Sequence, residues 1–551
     1  MKLSFKSFIL SFVFLNVSLF GSEYYVSPSG DNSTGNGTID SPWQTIEYAL
    51  ENVYSNDTLY LRGGIYNEQL FSVRNGTPNG YITVSAYQDE DAFIDGTGVE
   101  SGNNGAIITH SYLKLIGFTI RNWGDNGMEI SNCEFLELRQ LKITAVTGGI
   151  HLTGTIHDFV IDSCSMHDYY GGAGGFGFDA TPEGMTDSIY NGVIKNCKAY
   201  LTVPATDNCD GFALGHDGVS NIQFYNCEVS GVGDGFDISG RNIILERCSA
   251  HGSTFGGGFK LWRDDVKLIN CIGYNNTSNV ELDFDFDVNK GVKARLINCT
   301  FFGSSIFNIW IENTSGGSTL EMYNCILAGA TNTGLNFDGD NVSCYTGDYN
   351  LIHMSDPERA IVTNELDFSL SQVQSGEWTT FSGQDANTQV VFNSATLFVD
   401  DLLAKPNLHL IEGSPAINKG TNLTDSPLFD YDNYPRNMGQ IDIGAFEFGA
   451  SGSVGIHDKN YENIYSYHMA QNYPNPFNNS TVIRYSIPNE GMVTLKVYSI
   501  IGEEVAKVVN ETKQTGIYEV TFSSENLTSG VYLYKLTSGG FTETKKMILL
   551  K

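Results

Sequence analysis

Between residues 127 and 337 the chain repeats one short word: a small residue, an apolar one, a variable one, an apolar one. It reads Gly127-Met128-Glu129-Ile130, Gly149-Ile150-His151-Leu152, Gly177-Phe178-Asp179-Ala180, Gly211-Phe212-Ala213-Leu214 and Gly235-Phe236-Asp237-Ile238. It continues as Gly258-Phe259-Lys260-Leu261, Asn279-Val280-Glu281-Leu282, Asn308-Ile309-Trp310-Ile311 and Gly334-Leu335-Asn336-Phe337. Side chains on a strand alternate faces, so the apolar positions predict an interior and the variable position an exterior. Recurrence every few tens of residues is the mark of stacked coils. The pattern predicts an all-β parallel solenoid. Its outer row would run Glu129, His151, Asp179, Ala213, Asp237, Lys260, Glu281, Trp310, Asn336, a face on which a polymer can lie.

A second column supports the same coils. Cys133, Cys164, Cys197, Cys227, Cys248, Cys271, Cys299 and Cys325 each end a short apolar strand, six of them in an Asn-Cys pair. Equivalent residues of neighbouring coils lie about 4.8 Å apart with parallel Cβ vectors. A disulfide needs its Cβ atoms nearer and facing. The column therefore predicts stacked buried thiols beside an asparagine ladder. Cys209 and Cys344 lie off it.

The middle of the outer row carries chemistry. Asp210 and Asp234 each precede the glycine of their word, so they stack in adjacent coils beside Asp237. Three converging carboxylates repel one another unless a cation intervenes, and hard oxygen donors suit Ca²⁺. Lys260 holds the outward position one coil further on. Trp262 shares its face and can stack on a sugar; Arg263 is placed to meet a substrate carboxylate. Trp310, Asp179 and Glu281 are expected to line the groove, as is His151, for which no chemical partner is evident. The alternation from Glu281 to Asp287 reads as a solvated strand face, with a second cation site as its sharper alternative.

The words Cys209-Asp210-Gly211-Phe212-Ala213, Asp234-Gly235-Phe236-Asp237 and Gly258-Phe259-Lys260-Leu261 resemble polysaccharide lyase family nine, the right-handed parallel β-helix pectate lyases. The opening from Tyr24 to Trp43 is also similar. The resemblance implies Asp210, Asp234 and Asp237 as calcium ligands and Lys260 as the base of a β-elimination on a uronate polymer, pectate first among them. The chain departs from the pattern at Gly233, where the family shows the first of two adjacent aspartates. Asp207 is a candidate to replace it, and Gly233→Asp is expected to tighten calcium. Two other functions fit the row: glycoside hydrolysis, which needs two carboxyl groups about a bond, and a non-catalytic carbohydrate-binding solenoid. Lys260 discriminates, since only the lyase requires it.

Charge changes the picture in one way. The chain carries −32 over 551 residues, but residues 471–551 hold eight Lys/Arg against seven Asp/Glu and residues 1–22 two lysines, leaving −35 on residues 23–470. Such an acidic body excludes a nucleic-acid partner and needs a bridging cation to hold an acidic polysaccharide. Lys2 and Lys6, an apolar run from Phe8 to Phe20 and the pair Gly21-Ser22 read as an export signal over residues 1–22, with no membrane span after its removal. Residues 23–449 form the helix domain, 450–470 a polar linker and 471–551 a small β-sandwich. Ser41-Pro42-Trp43-Gln44 predicts a capping helix over 42–52, and Trp378 to Leu410 reads as long loops. The stretch from Leu408 to Glu447 is assigned to the last coils and cap. Asn472-Tyr473-Pro474-Asn475-Pro476-Phe477, the strands at 493–498 and 530–536 and the basic tail resemble the sorting domain of the type IX secretion system. That resemblance implies a passenger, expected to be a monomer, handed to the secretion machinery and delivered to the cell surface or medium.

Overall fold

The computed structural model describes residues 21–99, 102–182, 184, 186–215, 218–263, 265–284, 290–402, 405–437, 440–449 and, from 468 onward, all but short stretches. The export signal lies outside them except for Gly21 and Ser22, as does the expected linker except for His468 and Met469. The chain divides into two compact units, one reaching Ser451 and one starting at Gly452.

In the first unit each coil contributes short parallel strands to three faces, as in 234–238, 243–246 and 249–251. One face is a thirteen-stranded parallel sheet; the other two merge into a twenty-five-stranded one, because the strands Asn126–Glu134 and Gly148–Asp162 run through the corner between them. The apolar positions of the repeated word are interior: Phe212, Phe236 and Phe259 stack in register, with ring centroids 5.2 Å apart at each step. Glycine leads the word because the corner has no room for more. A Cβ on Gly235 would lie 2.2 Å from the Gly258 carbonyl oxygen. Asn279 and Asn308 take that position in later coils and stay buried by pairing, Asn279 Nδ2 donating to Asn308 Oδ1 at 2.8 Å.

The cysteine column is as expected: its eight thiols, like Cys209 and Cys344 off it, are free and buried. Residues preceding the column are left-handed, with φ of 55° at Asn196, 48° at Asn226 and 52° at Asn270, a conformation asparagine tolerates. Their amides form part of a ladder, Asn226 donating to Asn196 at 2.9 Å. The thiols bond to main-chain carbonyls, as Cys271 does to Leu245 at 3.3 Å. A thiol reagent is therefore expected to label none of the ten in the native chain and all ten in denaturant; fast native labelling would contradict this packing.

Three local expectations are corrected. The first helix is Ile46–Asn52, not 42–52, because Trp43 pairs instead with the first strand, Ser27 N donating to Trp43 O at 2.8 Å. Thr45 is the N-cap, and Glu68 accepts from the Ile46 and Glu47 amides. The segment read as loops contains two short helices, Leu370–Ser375 and Glu377–Ser382, the former with a Ser369/Gln372 capping box. Trp378, in the second of them, is fully buried against Phe337 and Phe368 and closes the end of the core. Residues from about 408 to 447 do not extend the solenoid but return along its flank. There Asn270 Nδ2 donates to Phe429 O at 2.7 Å, Asn298 Nδ2 to Asp442 O at 3.1 Å, and buried Arg436 to Asn270 Oδ1 at 2.7 Å. The strap's apolar residues, Leu408, Leu410, Ile443 and Phe446, share a small core with Phe302, Ile326 and Leu351.

The second unit holds a three-stranded and a four-stranded antiparallel sheet around a core that includes Ile483, Leu495, Val497, Tyr534 and Leu549. Strand His468–Met469 pairs with Ser480–Ile487, so the sheet begins inside the span read as linker.

Candidate active site

The strand register aligns the whole outer row: Glu129, His151, Asp179, Ala213, Asp237, Lys260, Glu281, Trp310 and Asn336 are partners from coil to coil. Asp210 pairs with Asp234. One carboxylate oxygen from each of Asp210, Asp234 and Asp237 lies within 4.8 Å of the others, making this the one such acidic group among the described residues. Asp234 is fully buried. Its Oδ2 accepts from Lys260 Nζ at 3.0 Å, while Asp234 Oδ1 and Asp210 Oδ1 are buried with no hydrogen-bond donor. Two orphaned anionic oxygens facing a third carboxylate are what a hard cation would satisfy, so these residues fit a calcium-type ion.

The electrostatics agree. Burial, then the charges of Asp237 and Asp234, push the Asp210 carboxyl well up. Burial also raises Asp237, against the opposing charge of Lys260. For Lys260, burial lowers the amine's pKa, but Asp237, Asp234 and the hydrogen bond to Asp234 outweigh it and hold the ammonium. Its Nζ also sits 4.8 Å from the Trp262 ring centroid, and Trp262 hydrogen-bonds Asp237. Lysine, tryptophan and aspartates thus form one packed cluster.

Other site expectations fare differently. Arg263 is only 6% exposed, with its Nε buried, so it does not lie open along the outward row. Glu281 and Asp283 are not on a solvated face: both are buried, the Asp283 amide continuing the ladder to Leu261 O and the Phe284 amide donating to Glu312. Asp285 and Asp287 lie outside the described residues. Sequence reasoning missed that Asp283 Oδ2 stands 4.0 Å from Lys260 Nζ; its place two residues past the row position, one coil beyond Trp262, was the available signal. It also missed that His151 and Asp179 partner each other, Nε2 to Oδ2 at 3.2 Å. Trp310 is half-buried, 6.1 Å from Phe307 between ring centroids.

Gly233 is explained by sterics. A Cβ there would lie 2.7 Å from both Asp207 O and Cys209 N. Asp207 itself is exposed, bonded to the Asn208 amide and absent from the acidic group. Against the sequence expectation, Gly233→Asp is predicted to destabilise the fold by about 1–3 kcal/mol through overpacking, without tightening calcium. Thermal melts and calorimetry of the variant check both; tighter binding at unchanged stability would refute the steric account.

Fold and site together define a parallel β-helix with a carboxylate-lysine centre on the outward row of its coils. Residues 24–280 match the Pel9A-like right-handed β-helix region, and residues 471–550 match the secretion system C-terminal sorting domain. The latter is an address for export by type IX secretion to the cell surface or beyond. Among curated proteins, pectate lyase PEL9 of Emericella nidulans is 34% identical over 87 residues, 15% of this chain and 21% of that protein. The chain thus spans about a fifth of that relative's length. Among solved structures, pectate lyase Pel9A has a TM-score of 0.45 at 16% identity, over 78% of this chain and 96% of that one. A rhamnogalacturonan lyase has 0.43 at 17%, over 74% and 97%. No helix among the described residues is long and apolar enough to cross a membrane.

Proposed function

We propose that this protein is a secreted, calcium-dependent polysaccharide lyase that cleaves a uronate-containing polymer by β-elimination. The observation that carries the reading is the 3.0 Å contact of Lys260 Nζ with Asp234, a member of the carboxylate triad with two orphaned oxygens. It sets the candidate base beside the candidate cation ligands on the outward row of the coils.

Asp210, Asp234 and Asp237 would hold the ion. Bound there, calcium would supply Lewis acidity, neutralising the uronate carboxylate so that the C5 proton becomes removable. Lys260, one coil along, takes that proton as a free amine. The C5–H electron pair forms the C4=C5 double bond, the C4–O bond breaks, and the departing oxygen is protonated by solvent. Trp262 positions Lys260 through its ring face, and Asp283 faces the same ammonium from the next coil.

The test is a screen of uronate polymers for new absorbance from unsaturated uronate ends, with and without chelator. Absorbance that grows with calcium and stops on chelation is the expected result. Reducing ends that appear without unsaturation would move the assignment to a hydrolase.

A further inference from the structure

Lys260 lies one coil past the carboxylate triad. In the other direction, the column that holds Asp210 and Asp234 holds Phe176 one coil earlier and Gly148 before that. A phenyl ring on a strand position in register with Asp210 therefore adjoins the candidate cation ligands. The ring is half-buried, and its tip fills the space that a side chain at 148 would take, since a Cβ there would lie 2.3 Å from Phe176 Cζ. It leans over the bare backbone of Gly148, away from Asp210, and leaves the triad uncovered.

Two neighbours frame that ring. The His151 ring lies 5.7 Å from it between centroids, tilted by 52°, and is itself tethered, with Nε2 3.2 Å from Asp179 Oδ2 while Asp179 Oδ1 accepts from Thr181 Oγ1. The turn that leads into the Phe176 strand is anchored at both ends, Tyr170 N donating to Val146 O at 3.0 Å and Asp210 N to Gly175 O at 2.9 Å. Tyr170 is 57% exposed, and its carbonyl oxygen packs on Gly175, the residue before Phe176. Aromatic surface with a few fixed polar groups at its edge suits a sugar, which offers an apolar face ringed by hydroxyls.

Phe176 stands three coils from Lys260, about 14 Å at the spacing of parallel strands and on the order of three sugar residues along an extended chain. Building on the lyase reading, we infer that Phe176, flanked by His151 and Tyr170, is a stacking subsite for a pyranose ring of the same polymer, on the side of the ion opposite Lys260. It touches none of the reacting atoms. Its part is to fix which residue of a long chain comes to rest over the ion, which makes it a positioning residue and gives the His151–Asp179 pair a task other than proton transfer.

The test uses the full chain with calcium and uronate oligomers of two defined lengths, a trimer and an octamer, and reads kcat and KM from unsaturated ends. Phe176→Leu keeps an apolar side chain over Gly148 but removes the ring. It is expected to raise KM on the octamer about tenfold with kcat little changed, and to cost far less on the trimer, which cannot reach three coils back while its scissile bond lies at Lys260. Phe176→Tyr is expected to restore most of the loss, and both variants to melt as the native chain does. An equal loss on trimer and octamer overturns the inference, because a packing defect would act on both alike; so does an unchanged KM on the octamer. If neither oligomer yields unsaturated ends, the elimination reading falls by itself and octamer affinity by calorimetry decides here: weaker binding in Phe176→Leu at an unchanged melt upholds the subsite, and equal or absent binding removes it.

Discussion

Replacing Lys260 by alanine is expected to slow eliminative cleavage by about 10²–10⁴-fold, the range of a positioned general base, with polymer affinity little changed. The split follows from the architecture. The carboxylate triad and the groove wall remain in place, so the ground-state complex keeps its contacts, whereas proton removal belongs to the transition state alone. Lys260→Arg is expected to fail near neutral pH as well, because guanidinium holds its proton to above about pH 12. In the native protein the neighbouring aspartates keep the Lys260 pKa above its ordinary value despite burial. The free amine is therefore scarce at neutral pH, and the rate is expected to climb through the alkaline range as that fraction grows. Initial rates of unsaturated-end formation across pH, for the native chain and both variants, check the whole set. Native turnover in Lys260→Ala would remove the base from the mechanism.

Chelated protein is expected to bind one calcium ion tightly, and Asp237→Asn to weaken that binding on the order of 10²-fold, since affinity in oxygen sites follows ligand charge. Asparagine keeps the shape of the side chain, so a loss of binding without loss of the melt isolates the charge. Affinity should also fall as pH drops through the neutral range. Ligands must be deprotonated to hold a metal, and burial together with mutual repulsion raises the Asp210 and Asp237 carboxyls into that region, so protons compete earlier than at ordinary aspartates. Isothermal titration at several pH values reads both effects. Undiminished activity after exhaustive chelation would dispose of the ion.

The solenoid and its centre were legible because their signal is periodic. A strand partner in a parallel stack is the same position of the next word, so aligning Asp237 with Lys260 in sequence aligned them in space. What the words could not convey was burial at the site and contact across unlike segments. Arg263 and Asp283 follow the word by a residue or two, where periodicity ends and local packing decides which face is covered. Trp43 satisfied every rule for a helix start, yet its main chain pairs with Tyr25 and Ser27 and its ring stacks on Tyr24 at 5.1 Å, a tertiary gain that outweighs a cap. The obstruction at Gly233 depends on the path of residues 207–209, which belong to the preceding coil and carry no repeat.

The returning strap changes how the solenoid holds together. A plain stack of coils is a nearest-neighbour system, able to fray from its ends one layer at a time. Here Arg247 donates to Asn433 across 186 positions, and Asn270 to Phe429 across 159. Those contacts tie Lys260's own coil and the coil before it to the last part of the same unit, raising contact order, which slows folding. A chain emerging amino end first would stack those coils before the strap arrives to fasten them, so the layers around Lys260 are secured last, by residues outside the carboxylate-lysine cluster.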